Sequence, residues 1–257
     1  RKIEDQIAKL RRDLEDVKEQ RDTQRKQRKK NAIPVVSIVG YTNAGKSTIM
    51  NEMLRKIGQH DDKQVFEKDM LFATLETSVR QIELEDNKRF LLTDTVGFVS
   101  KLPHHLVKAF RSTLEEARDA DLLLHVVDVS NEEYRFMMQV TEETLKAIGV
   151  ENVPTIYVYN KSDKANVSYP VVSGDNIWIA AKQNVGLDEL IDMIRKEIFS
   201  NYVTCDMLIP YDRGDIVSYL NMHASIHSTS YEENGTLLNV EVTDADYNKY
   251  KQYVIGE

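Results

Sequence analysis

Eight residues, Gly40-Tyr41-Thr42-Asn43-Ala44-Gly45-Lys46-Ser47, fit the spacing G-x-x-x-x-G-K-[ST]. In that spacing the glycines let the backbone curl its N–H groups around phosphate oxygens, the lysine adds a cation, and the hydroxyl can reach a divalent ion. The chemistry implied is capture of a nucleotide phosphate tail. Backbone amides from Asn43 to Ser47 are expected to face the β- and γ-phosphates, with Lys46 bridging them and Ser47 binding Mg²⁺. A second chemistry-bearing site is Asp163. Its carboxylate can only accept hydrogen bonds, which suits the N1–H and N2–H₂ donors of guanine and leaves adenine unpaired, at a cost of about 1–3 kcal/mol or more.

Such residues need a scaffold that delivers them to one edge. Val35, Val36, Ile38 and Val39 read as a buried parallel strand entering the phosphate loop, and Thr48 to Ile57 reads as the helix leaving it, with Ile49, Met53 and Ile57 on one face. Further strands are predicted near 79–84, 89–93, 122–128, 155–159 and 177–179, with 80–84 and 89–92 forming an antiparallel hairpin around Asp86-Asn87-Lys88. Alternating strands and helices imply an α/β fold with a mostly parallel sheet and a ligand at the carboxyl ends of its strands.

The motifs after those strands resemble the signature set of GTP-binding proteins. Asn160-Lys161-Ser162-Asp163 resembles N-K-x-D, so Asn160 is expected to hold the loop and approach the N7 edge of the base, and the Lys161 stem to cover its plane. Asp94-Thr95-Val96-Gly97 resembles the D-x-x-G switch, where Asp94 holds a water of the Mg²⁺ shell and Gly97, lacking a Cβ, lets its amide approach the γ-phosphate. Ala180-Ala181-Lys182 stands where an S-A-K loop offers a backbone amide to guanine O6; alanine in place of serine is expected to loosen that loop. In Leu71-Phe72-Ala73-Thr74-Leu75-Glu76, Thr74 is the first choice for the threonine that closes over Mg²⁺, with Thr77 and Thr93 as rivals. Lys46, Thr74 and Gly97 are the expected catalytic residues. Tyr41, Thr42, Ala44, Thr48, Phe72, Ala73, Leu75, Glu76, Thr95, Val96 and Ser162 complete the expected nucleotide contacts.

The wider runs, Gly-Tyr-Thr-Asn-Ala-Gly-Lys-Ser-Thr, Leu-Phe-Ala-Thr-Leu and Asp-Thr-Val-Gly-Phe followed by Lys101-Leu102-Pro103-His104-His105-Leu106, resemble the HflX family of ribosome-associated GTPases. That resemblance implies GTP hydrolysis, binding to the large ribosomal subunit, and separation of stalled or stress-inactivated ribosomes. The alternative is a GTP-dependent switch that recruits a protein partner without the ribosome. Phe98 follows the switch glycine where many regulatory GTPases carry a water-orienting glutamine; a phenyl ring cannot orient water, so intrinsic hydrolysis should be slow. Asn43 stands where potassium-activated GTPases place a K⁺-binding asparagine; the other reading is an asparagine tolerating a tight turn.

The chain has 257 residues, 30% of them charged and 41% hydrophobic, with a formal net charge of −8. It contains no apolar run of the roughly 18 residues a membrane span requires, and its single Cys205 excludes an intrachain disulfide. A cytoplasmic location is expected, with transient membrane association left open. Three segments are anticipated: a helical arm over 1–31, a GTPase domain over 32–200, and a small α+β domain over 201–257. The arm carries an apolar seam and ends in Arg21, Arg25, Lys26, Arg28, Lys29 and Lys30 against one acid, Asp22, a cluster suited to ribosomal RNA. The last segment is acidic and better suited to ribosomal protein, through itself or through the switch after Gly97. It should hold a helix from Asp212 to Met222, a hairpin turning at Asn234-Gly235, and a closing helix capped by Thr243 with Tyr247, Tyr250 and Val254 on one face.

Overall fold

The computed structural model describes residues 33–58, 78–95, 97, 117–150 and 152–256. Residues Val35–Glu257 form one compact unit. Within it the main sheet is built from β1 (Val35–Gly40), β2 (Ser78–Glu83), β3 (Arg89–Asp94), β4 (Leu122–Asp128), β5 (Thr155–Asn160), β6 (Val171–Ser173) and β7 (Asn176–Trp178), in the order β2-β3-β1-β4-β5-β7-β6. Its inner pairings are parallel, and β2 and β6 close the edges as antiparallel strands. The short, exposed β6 has no apolar alternation, and nothing in the sequence reading anticipates it.

The apolar runs of β1 and β4 are continuous because both faces of the sheet are covered. On one face Val36, Ile38 and Leu124 pack with Ile49, Met50 and Met53 of α1 (Lys46–Lys56) and with Leu187, Leu190 and Ile194 of α3 (Leu187–Ile198). On the other, Val39 and Leu123 pack with Leu145 of α2 (Tyr134–Ala147). Helix α1 starts at Lys46, two residues earlier than Thr48 as read from sequence, because Gly45 takes a left-handed conformation (φ 96°) that turns the chain straight into the helix.

Register aligns the functional edge. Ile38 lies opposite Asp94, Gly40 opposite Val126, and Asp128 opposite Asn160, so the loops after β1, β3, β4 and β5 leave the sheet side by side.

A second, antiparallel sheet follows: β8 (Tyr202–Ile209), β9 (Ser225–Glu232), β10 (Gly235–Thr243) and β11 (Val254–Ile255), in the order β11-β8-β10-β9. Helices α4 (Gly214–His223) and α5 (Asp244–Tyr250) cover its apolar face, and Cys205 packs at the margin of that core. Three expectations need correcting. Residues Tyr211–Arg213 form a 3₁₀ turn, so the helix begins at Gly214 rather than Asp212. Gly235 pairs within the ladder opposite Glu232, so the hairpin turns on Glu233 and Asn234; a Cβ on Gly235 would stand 2.2 Å from the Ile209 carbonyl oxygen. The Thr243 side chain accepts from the Asp246 amide at 3.1 Å, but α5 stops at Tyr250, and Val254 pairs with Met207 as a strand residue instead of extending the helix.

The tip of the β2–β3 hairpin is held from three sides. The Lys88 ammonium lies 2.8 Å from Glu241 on β10 and 3.5 Å from Asp86, and sits over the rings of Phe199 and Tyr202 at 5.3 and 5.6 Å. Asp86 reaches Arg195 at 3.7 Å, and Asn87 Nδ2 donates to the Asn221 carbonyl at 3.4 Å. With its side chain only 7% exposed, Lys88 is a buried cation that depends on these partners. Lys88→Ala is expected to lower the unfolding free energy by about 3 kcal/mol, because it strands Glu241. The joint change Lys88→Met with Glu241→Gln should cost less than the single one, measured by urea denaturation; equal losses would mean that a stranded Glu241 carries no penalty.

Candidate guanine-nucleotide site

The loop after β1 is shaped by positions where only small or left-handed residues fit. Gly40 presses on β4 so closely that a Cβ would stand 2.3 Å from the Val126 carbonyl oxygen. Asn43 is left-handed (φ 63°), and a Cβ on Gly45 would meet Asn160 Nδ2 at 2.3 Å. No acidic residue occupies the first turn of α1 and no side chain caps it, so the positive end of the helix and its amides face the loop.

Lys46 lies folded over this loop, donating to the carbonyls of Tyr41 at 2.9 Å and Gly40 at 3.2 Å. Burial lowers its pKa to about 8, partly offset by the charge of Asp94. A buried ammonium held by neutral carbonyls has lost its hydration, and anionic oxygens would offset that loss. Ser47 Oγ donates to Asp94 Oδ2 at 2.7 Å. Gly97 closes over the same place: a Cβ there would stand 2.9 Å from Lys46 Nζ and 2.7 Å from Thr42 Cγ2. The structure thus brings Lys46, Ser47, Asp94 and Gly97 together.

Asn160 joins the phosphate end to the base end. Its Nδ2 donates to the Ala44 carbonyl at 3.0 Å and its Oδ1 accepts from the Ala181 amide at 3.1 Å, with the residue only 3% exposed. Lys161, left-handed at φ 61°, extends its ammonium to the Asn43 carbonyl at 2.7 Å and to Asp128 Oδ2 at 2.8 Å. Ser162 is fixed by its amide to the Ile179 carbonyl and by its hydroxyl to the Tyr159 carbonyl. Asp163 is half-buried and accepts from Gln183 Nε2 at 3.4 Å. The loop at Ala180 is pinned by backbone: Ala180 and Val185 exchange amide and carbonyl bonds, and the Ala181 amide is spent on Asn160. None of these anchors uses the side chain at position 180.

Thr95 donates its hydroxyl to the Ile38 carbonyl at 2.7 Å, and Thr93 shares a 2.6 Å hydrogen bond with Ser37 inside the sheet. Thr93 is thereby removed as a rival for Mg²⁺ closure. Phe72, Ala73, Thr74, Leu75, Glu76, Thr77, Val96 and Phe98 lie outside the described residues, as do the basic arm and His104 and His105.

Sequence reasoning missed Asp128 and His125. Asp128 is legible in hindsight as an acid ending a buried strand at the functional edge. His125 lies on the same strand, 2% exposed, beside Tyr157 at 5.4 Å between ring centroids. With Tyr41, Thr42, Asn43, Asn131, Met137 and Met138, both residues border a cavity of about 220 Å³ behind the phosphate loop.

A phosphate loop leaving β1, a glycine over its lysine, and Asn-Lys-Ser-Asp after β5 define a P-loop GTPase domain. A family model described as 50S ribosome-binding GTPase matches residues 35–161. The chain is similar to the GTPase HflX of Caldanaerobacter subterraneus subsp. tengcongensis, 40% identical over 258 residues covering 100% of this chain and 58% of that protein. It is similar also to the GTPase HflX of Lacrimispora saccharolytica, 40% identical over 245 residues covering 94% and 56%. The crystal structure of a GTP-binding protein from the hyperthermophilic archaeon Sulfolobus solfataricus in complex with GDP superposes with TM-score 0.53 at 28% identity, over 76% of this chain and 58% of that one. The chain belongs to the HflX family of GTPases. It spans a little over half the length of the curated relatives it matches.

His125 gives a pH test of the site's dryness. Burial first, and then the charge of Lys46, lowers its pKa to about 4 from 6.5. Between those values the unfolded chain takes up a proton that the folded chain refuses, so stability should fall as pH drops through this window, by up to about 1.4 kcal/mol per pH unit. His125→Leu is expected to flatten that loss in urea titrations across the window; parallel loss in both proteins would contradict a buried neutral imidazole.

Proposed function

We propose that the protein binds GTP and hydrolyses it to GDP and phosphate as a factor acting on the large ribosomal subunit. The single observation that carries the nucleotide part is the Asn160 amide, which ties the phosphate loop at Ala44 to the base loop at Ala181. That link supports reading the loop after β1 as a phosphate cradle and Asp163 as a guanine acceptor on the same edge. The support for the ribosomal part is the description of the matching family model, carried over to this chain.

Ser47 and Asp94 bring a hydroxyl and a carboxylate oxygen within 2.7 Å, hard oxygen donors that suit Mg²⁺. The ion would sit on Ser47, with Asp94 holding one of its waters and Thr74 completing the shell; when bound, it would neutralise phosphate charge. The chain's own part is positioning. Lys46 would turn from the loop carbonyls to the phosphates, the Gly97 amide would approach the γ-phosphate, and Asp163 would accept from the guanine edge. Phe98 supplies no group to orient the attacking water, so turnover should be slow until a partner contributes one. The basic arm over 1–31 would bind ribosomal RNA, and the acidic segment over 201–257, or the switch after Gly97, ribosomal protein. Separation of stalled or stress-inactivated ribosomes is the outcome this assigns, in the cytoplasm. Among the described residues no helix is long and apolar enough to cross a membrane.

Purified large subunits should raise GTP turnover by about 10³-fold or more, by analogy with other GTPase activators, and should co-sediment with the protein in a non-hydrolysable GTP analogue but not in GDP. Equal turnover, with no sedimentation in either state, would favour a switch for a non-ribosomal protein partner. Potassium is the proposed second ion, through the exposed, left-handed Asn43; turnover should be several times faster in KCl than in NaCl, and equal rates would remove it.

A further inference from the structure

The ammonium of Lys161 is not simply an arm across the phosphate loop, because something must hold it there. It has two partners: the neutral carbonyl of Asn43 at 2.7 Å and the carboxylate of Asp128 at 2.8 Å. Asp128 is itself braced, its Oδ1 accepting from the Ser130 amide at 3.1 Å and from the Ser130 hydroxyl at 2.6 Å. The Val129 amide next to it donates to the Asn160 carbonyl at 3.1 Å. The carboxylate thus ends β4 at a fixed height, opposite the residue that precedes Lys161.

Both ends of the lysine bridge are left-handed at residues other than glycine, Asn43 at φ 63° and Lys161 at φ 61°. Such conformations persist when neighbours over-determine them. Without Asp128 the ammonium would have one neutral acceptor and an open path to water, since Lys161 keeps 22% of its side chain exposed. The Asn43 carbonyl would then lose its anchor, and the phosphate loop could turn that carbonyl toward an incoming phosphate, where an oxygen repels and an amide attracts.

We propose that Asp128 is a positioning residue for nucleotide capture: braced by Ser130, it holds the Lys161 ammonium on the Asn43 carbonyl and so presets the phosphate loop to present amides. This rests on the nucleotide-binding reading given above. The contact sets the loop that GTP and GDP would both enter, so its loss weakens both nucleotides. A residue that merely supports the fold would lower stability without this shared, Lys161-dependent signature.

The test is binding of fluorescent GDP and of a fluorescent non-hydrolysable GTP analogue to the full chain and to Asp128→Asn, Ser130→Ala, Lys161→Met and the double variant Asp128→Asn/Lys161→Met. Asp128→Asn should weaken both nucleotides by about ten- to a hundredfold, the worth of one charge-assisted hydrogen bond. Ser130→Ala, which leaves the carboxylate in place and the fold least disturbed, should weaken them severalfold. The double variant should bind no worse than Lys161→Met alone. Unchanged affinity in Asp128→Asn and Ser130→Ala, or additive losses in the double variant, would overturn the inference while leaving the nucleotide reading intact. Failure of the unaltered chain to bind either nucleotide would instead overturn that reading, and this inference with it.

Discussion

The side-chain amide of Asn160 is the contact on which the site's coherence depends. A carboxamide offers a donor and an acceptor on one rigid plane, and here each faces a different loop: the donor meets the phosphate loop at Ala44, the acceptor meets the amide of Ala181. No other side-chain type of that size can do both, because aspartate lacks the donor and leucine lacks either. Burial makes the arrangement obligatory, since leaving either group unmatched in a dry environment costs about 1–3 kcal/mol. The absence of a Cβ at Gly45 belongs to the same contact, as it clears the space into which the amide enters.

Around this link the site is electrostatically unfinished. Lys46 is an ammonium held by carbonyl dipoles, with its proton weakened by burial and only Asp94 to compensate. Behind it His125 is kept neutral by burial and by that same cation. The protein thus carries the desolvation of a positive group in advance, and a polyphosphate is the complementary charge. Lys161 differs, being a cation fully answered by Asp128 and Asn43 within the protein. One lysine rests on carbonyl dipoles and the other on a carboxylate.

Much of this was legible in the sequence because phosphate and guanine recognition impose fixed spacings on backbone and carboxylate groups, and because buried parallel strands read as apolar runs. Such runs give β4 at its observed bounds, β1 and β5 to within one residue, and the pairing of β2 with β3 as a hairpin. What escaped reading was decided by tertiary contact. Val171–Ser173 becomes a strand only because β7 offers it an edge. Gly235 lies in the ladder opposite Glu232, where the Ile209 carbonyl leaves no room for a Cβ. Asp128 has no motif, since its role appears only when register sets β4 beside β5. Thr93 and Thr95 are alike in one dimension and differ in which backbone or hydroxyl their oxygens meet.

The docked tip of the β2–β3 hairpin bears on how the chain can be divided. Asp94 closes one end of β3, and Lys88 sits at the other among Glu241, Phe199 and Tyr202. A boundary near residue 200 is natural in chain order, yet cutting there would part Phe199 from Tyr202 and leave Lys88 without Glu241. The hairpin behaves as a dowel set into the second sheet, so the last segment serves as part of the frame that keeps β3, and the carboxylate at its end, in line.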